Sequence, residues 1–95
     1  MLDEKYIVFI REAVRGHFPK STVKAFLFGS AVSKNRKKFF DIDLGLMGPL
    51  TPVSLNALKE ELEESTLPYK VDLVDFNKVD DSFRNNVFSG ELIWL

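Results

Sequence analysis

Between Asp41 and Leu46 the chain alternates without a break: Asp41, Asp43 and Gly45 stand on one parity, Ile42, Leu44 and Leu46 on the other. A period of two belongs to a β-strand with one face in an apolar core. The fold must therefore contain a sheet, and two carboxylates share the face of this strand that turns away from the core. Residues two apart on a strand have Cα atoms about 7 Å apart, so these acids can converge on cations and repel each other when nothing positive lies between them. Hard divalent ions suit the spacing, because Mg²⁺ takes carboxylate oxygen together with substrate phosphate, and two such ions stand about 3.5–4 Å apart. A solvated strand face shows the same pattern, so the pair acquires meaning only from its surroundings.

Those surroundings alternate between helix and strand. Tyr6, Ile7, Ile10, Ala13 and Val14 recur at helical spacing behind a cap at Asp3, and Gly16 with Pro19 ends that helix, predicted over about 3–15. Val23 to Phe28 is a short apolar run bounded by Gly29 and reads as a buried strand. After the Asp41 strand, Thr51 caps a helix with Pro52 in its first position and Leu55, Leu58 and Leu62 on one side, running to about Glu64. Pro68 precedes a third strand, Lys70 to Phe76; a helix from about Asp80 to Phe88 and an apolar end, Leu92 to Leu95, complete the chain. The order α-β-β-α-β-α describes an α/β or α+β sandwich, a small mixed sheet covered by helices.

With 95 residues, 45% of them apolar and nine of them Phe, the sequence is read as one domain spanning 1–95, burying about 60–65% of its unfolded surface. Thirteen Lys and Arg against fourteen Asp and Glu leave a net charge of −1, which argues against sequence-independent binding to nucleic acid or membrane. No Cys is present and His17 is alone, excluding disulfides, a thiolate nucleophile and Cys or His zinc clusters; a metal would be held by oxygen. His17 is expected near the carbonyl end of the first helix. The N-terminus lacks the pattern of a signal peptide, no segment reaches the length of a membrane span, and a cytoplasmic protein is expected.

Two further features give the Asp-x-Asp pair a context. Phe28-Gly29-Ser30 closes the preceding strand, where a Gly lets the backbone approach a ligand and the following N–H groups and hydroxyl can face phosphate, although Gly-Ser is by itself an ordinary turn. Asp72 sits between aliphatics in the third strand, where a lone acid needs a partner that a metal would supply. Together, FLFGSAVSKNRKKFFDIDLGLMG and the later YKVDLVDF resemble the nucleotidyltransferase superfamily of the DNA polymerase β type: hydrophobic-Gly-Ser, a variable loop, Asp-hydrophobic-Asp-hydrophobic, and a third acid on a later strand. The chain looks most like the minimal nucleotidyltransferases, which keep the catalytic half.

The resemblance implies that Gly29 and Ser30 bind a triphosphate, that Asp41 and Asp43 hold two Mg²⁺ ions, and that Asp72 ligates one metal and helps activate the attacking hydroxyl. Asp75 is the competing third acid; strand parity puts it on the face opposite Asp72, and the family pattern favours Asp72. Where many relatives carry an Arg and a Gly after Gly-Ser, the loop here reads Ala31-Val32-Ser33-Lys34, so Lys34, with Arg36, Lys37 and Lys38, is the candidate for phosphate contact, set against a loop whose charge only aids solubility. Phe39 and Phe40 are expected to pack at the sheet edge. Trp94 is either core or a partner surface.

By the same resemblance the partner is a small helical HEPN toxin of a toxin–antitoxin pair, and the chain is its antitoxin, transferring AMP from ATP to a tyrosine hydroxyl of that toxin. A catalytically weak or inactive binding module that neutralises its partner by occlusion, and a transferase acting on a small molecule such as an aminoglycoside, are the alternatives; a homo- or hetero-oligomer is expected as an assembly in either case.

Overall fold

The computed structural model describes residues 2–33 and 41–95. Lys34, Arg36, Lys37, Lys38, Phe39 and Phe40, to which roles were assigned from sequence, lie outside the described residues.

Among the described residues the elements are α1 (Glu4–His17), β1 (Lys24–Phe28), a short 3-10 turn (Gly29–Ala31), β2 (Ile42–Met47), α2 (Pro52–Glu63), β3 (Val71–Asp75), α3 (Asp81–Phe88) and β4 (Ile93–Trp94). Each helix starts at a side-chain cap that satisfies one of its unpaired N–H groups: Asp3 accepts from the Lys5 N–H, Thr51 from Ser54 and Asp80 from Phe83. The four strands form one mixed sheet in the order β3-β2-β1-β4. β1 pairs antiparallel with β2 and β4, and β2 pairs parallel with β3 through α2. The closing apolar residues therefore form a fourth strand, at the edge of the sheet, that the sequence reading had not separated as an element.

The sheet has two unlike faces. Ala25, Leu27, Ile42, Leu44, Leu46 and Val71 join Ile7, Ile10, Ala13 and Val14 of α1 and Leu58 and Leu62 of α2 in the main core. The other face carries a smaller aromatic cluster of Phe26, Phe28 and Phe76, covered by Val87 and Phe88 of α3. Gly45 is required there: a Cβ on it would lie 2.6 Å from Phe26 Cε2 and 2.8 Å from Phe76 Cε1, so the two rings meet over a bare stretch of β2, with centroids 4.8 Å apart and planes at 70°. Trp94 stacks on Phe88 at 6.3 Å and remains 52% exposed, so it is not a core residue of this chain. His17 is the last residue of α1, as expected, and its Nε2 lies 3.1 Å from Glu61 Oε1, linking α1 to α2. Among the described residues no helix is long and apolar enough to cross a membrane.

Candidate active site

Alternation along β1, β2 and β3 decides which side chains reach the aromatic face. Phe28 stands opposite Asp43 across the β1–β2 pair, and Asp43 stands beside Asp72 across the β2–β3 pair. Neighbours in register point to the same side of a sheet, so Phe28, Asp43 and Asp72 share the face away from α1 and α2. β2 starts at Ile42, leaving Asp41 exposed just before it on the same parity as Asp43. Three predicted acids are thus gathered at one end of the sheet, where β1 ends and β2 and β3 begin.

Gly29 brings the fourth predicted component to that end. It has φ +74°, a left-handed conformation that L side chains rarely adopt, and a Cβ built on it would stand 2.5 Å from Asp43 Oδ2. Backbone and carboxylate are therefore in direct apposition, and only Gly permits it. The 3-10 turn that follows is closed by Val32 N–H donating to the Gly29 carbonyl at 3.2 Å and Ser33 N–H to the Ser30 carbonyl at 3.3 Å. The N–H groups that open a helical turn find no acceptor within it, and Gly29 and Ser30 are exposed beside the acids. The Ala31 carbonyl accepts from Leu2 N–H at 2.8 Å, fastening the turn to the start of α1.

Electrostatically the site is strained by its own charge. Partial burial, followed by the charges of Asp72 and Asp41, pushes the Asp43 carboxyl above the usual carboxylate range. Among the described residues no hydrogen bond is donated to the Asp43 carboxylate, although its backbone is paired in the sheet. Asp72 was expected to be a buried acid without a protein partner, but its side chain is 41% exposed and Lys70 Nζ lies 3.5 Å from its Oδ1. Asp75 has a separate duty: it pairs with Leu46 at the far end of β3, and its carboxylate accepts from the Asn77 N–H at 2.9 Å, closing the turn that leads to α3. Asn77 in turn donates to the Gly48 carbonyl at 2.8 Å and accepts from the Gly48 N–H at 3.2 Å, joining that turn to the loop after β2.

Beside Gly29 opens a cleft of about 480 Å³ between the 3-10 turn and α3, lined by Phe28, Val32 and the 40%-exposed Phe83, with Asn86 and Glu91 among its polar groups. Its size and mixed lining suit a small organic ligand. Neither this cleft nor Lys70 had been assigned a role from sequence. The signal for Lys70 was present in its placement two residues before Asp72, on the same parity; the cleft depends on where α3 packs, which no local pattern states.

The acids fit a divalent cation chemically: all are oxygen donors, and Asp43 lacks a donor partner and is repelled by its neighbours. They do not close a cage, because among the described residues no group of three acidic or imidazole side chains is placed to hold a metal unaided. Asp41, Asp43 and Asp72 thus stand at one end of the sheet beside the Gly29-Ser30 turn. Residues 10–95 match the family described as Polymerase beta, Nucleotidyltransferase, and the chain belongs to it.

Within that family, the chain is 35% identical over 80 residues to the probable protein adenylyltransferase MntA of Haemophilus influenzae, covering 82% of this chain and 68% of that protein. A crystal structure of a mutant MntA–HpeT toxin–antitoxin matches with a TM-score of 0.68 and 26% identity, over 98% of this chain and 73% of that one. The mutant exchanges two aspartates, two positions apart, for glutamate. A crystal structure of a toxin–antitoxin with AMP-PNP matches with a TM-score of 0.63 and 27% identity, over 86% of this chain and 64% of that one.

Proposed function

We propose that this chain is an antitoxin that transfers AMP from ATP to a hydroxyl, a tyrosine, of a HEPN toxin encoded beside it. The observation that carries the reading is the apposition of Gly29 to the Asp43 carboxylate, with Asp41 and Asp72 on the same face. That arrangement sets the exposed Gly29-Ser30 turn directly against a cluster of carboxylate oxygen donors. The relatives add the nucleotide and the partner: one is named a protein adenylyltransferase, one was solved with AMP-PNP, and two are toxin–antitoxin structures. The spacing of the aspartates exchanged in the mutant complex recurs in Asp41 and Asp43.

In this reading Gly29 admits the triphosphate to the turn, and the Ser30 hydroxyl and N–H groups contact its oxygens. Phe28 and Phe83 offer rings for the base in the adjoining cleft. Asp41, Asp43 and Asp72 would hold Mg²⁺, their donor set completed by the oxygens of the substrate, and the metal would supply charge neutralisation at the triphosphate and a lower pKa for the acceptor hydroxyl. Asp72 stands on the β3 side, away from Gly29, and so faces the acceptor, whose proton it takes. The acceptor oxygen then attacks the α-phosphorus in line, and pyrophosphate leaves.

Incubation of the toxin with this protein, Mg²⁺ and ATP labelled at either the α- or the γ-phosphorus tests the reading. Label from the α-position should appear on the toxin and label from the γ-position should not. Transfer of γ-label would make the protein a kinase, and the absence of both would leave neutralisation by occlusion.

A further inference from the structure

Lys70 precedes β3 on the parity of Asp72, and its ammonium lies 3.5 Å from Asp72 Oδ1. Its backbone is held, because the Lys70 carbonyl accepts from the Ile42 N–H at 2.8 Å. Its side chain is 70% exposed and free to exchange partners. An exposed pair of this kind contributes little to stability, so the placement asks for another explanation.

The sheet order supplies one. With β2 between β1 and β3, Gly29 and Ser30 lie to one side of Asp43 and Lys70 with Asp72 to the other. A triphosphate received at the Gly29 turn leaves the β3 side for the group that attacks it. We propose that Lys70 is an acceptor-side catalytic residue: its ammonium donates to the acceptor oxygen and stabilises the negative charge that develops there, an assignment that rests on the transfer reading above. Among the described residues, Lys70 Nζ is the cation in ion-pair contact with Asp72, and no cation is in such contact with Asp41 or Asp43.

In the step itself the acceptor O–H gives its proton to Asp72, the oxygen forms a bond to the α-phosphorus of ATP, and the bond from that phosphorus to the bridging oxygen breaks, pyrophosphate leaving with the electron pair. The ammonium changes nothing in this balance. It lowers the energy of the forming anion through a charge-assisted hydrogen bond in place before reaction.

Steady-state transfer of AMP to the toxin by the wild type, Lys70→Gln and Lys70→Arg tests the role. Loss of one such contact should lower kcat/KM for the toxin in Lys70→Gln about tenfold, leave KM for ATP unchanged, and move the rise of kcat with pH to higher pH, because the acceptor hydroxyl has lost the charge that eased its ionisation. Lys70→Arg should recover most of the activity. Thermal midpoints of all three proteins should coincide. A Lys70→Gln enzyme with wild-type toxin kinetics and pH profile, or one in which KM for ATP alone rises, would overturn the role while wild-type transfer upheld the function. No transfer by the wild type would overturn both.

Discussion

Replacing Asp43 by Asn should make the protein more stable at neutral pH while abolishing transfer. The amide has nearly the shape of the carboxylate, so the fit against Gly29 is kept and only the charge is lost. In the folded chain the Asp43 carboxyl is held above its ordinary range by burial and by Asp72 and Asp41. The folded state therefore binds more protons than the unfolded state between the ordinary and the raised pKa, and this group's contribution to stability falls as pH rises through that window. Neighbouring strands stand about 5 Å apart, and two unit charges at that distance repel by about 0.8 kcal/mol in water and about 3 kcal/mol at an effective dielectric of 20. Asp43 is half-buried and its neighbours face solvent, so the lower figure applies and the gain from Asn is about 1 kcal/mol, or about 4–8 °C in Tm for a chain of this size. Thermal unfolding of both proteins without metal, at pH 7.5 and at pH 3.5 and in low and high salt, measures it. The advantage of the variant should be present at pH 7.5, diminish at pH 3.5, below the raised range of Asp43, and shrink at about 1 M salt, where the Debye length is near 3 Å. A variant less stable than the wild type at pH 7.5, or a difference indifferent to pH and salt, would refute the electrostatic reasoning.

Three further outcomes follow from the same geometry. Gly29→Ala forces an L residue into φ +74° against Asp43 Oδ2 and should lower stability by about 1–2 kcal/mol while reducing ATP affinity by calorimetry to a greater extent than the lowered midpoint explains; intact affinity would make Gly29 a turn and nothing more. Asp75→Asn should leave transfer within about twofold of wild type, because its carboxylate serves the Asn77 turn, a role that an amide oxygen retains in part; a loss as large as that of Asp72→Asn would reverse the choice of third acid. Phe83→Ala should raise KM for ATP about fivefold to tenfold without lowering the thermal midpoint by more than a few degrees, since the ring is 40% exposed and one stacking contact is worth about 1–3 kcal/mol; unchanged KM would remove the cleft from nucleotide binding.

Most of the fold was legible because each element carries its own local signal. The cap residues Asp3 and Thr51 and the alternation from Asp41 to Leu46 announce where two helices and a strand begin, and Asp80, at the expected start of the last helix, caps it in the structure. β4 was not separated because two residues contain no period; its existence depends on Phe26 and Leu27 offering an edge to Trp94 and Ile93. The direct contact of Gly29 with Asp43 and the register of Asp43 with Asp72 are long-range facts set by strand pairing. Alternation within each strand puts the acids on a consistent parity, but it does not state which strands are neighbours. Asp75 shows the limit from the other side: parity separated it from Asp72, yet its actual work, accepting from Asn77, appears only once the turn is built. Lys70 was passed over because an exposed lysine at a strand entrance is ordinary until its ammonium is found beside the third acid.

The central claim is that the acids beside Gly29 perform nucleotide transfer to a partner, and the intact mass of the toxin tests it most directly. After incubation with the wild-type protein, ATP and Mg²⁺, the toxin should gain the mass of one or more AMP groups, and after incubation with Asp72→Asn, which should still bind it, the toxin should gain none. A toxin of unchanged mass in the presence of the wild type, neutralised equally well by Asp72→Asn, would contradict the claim.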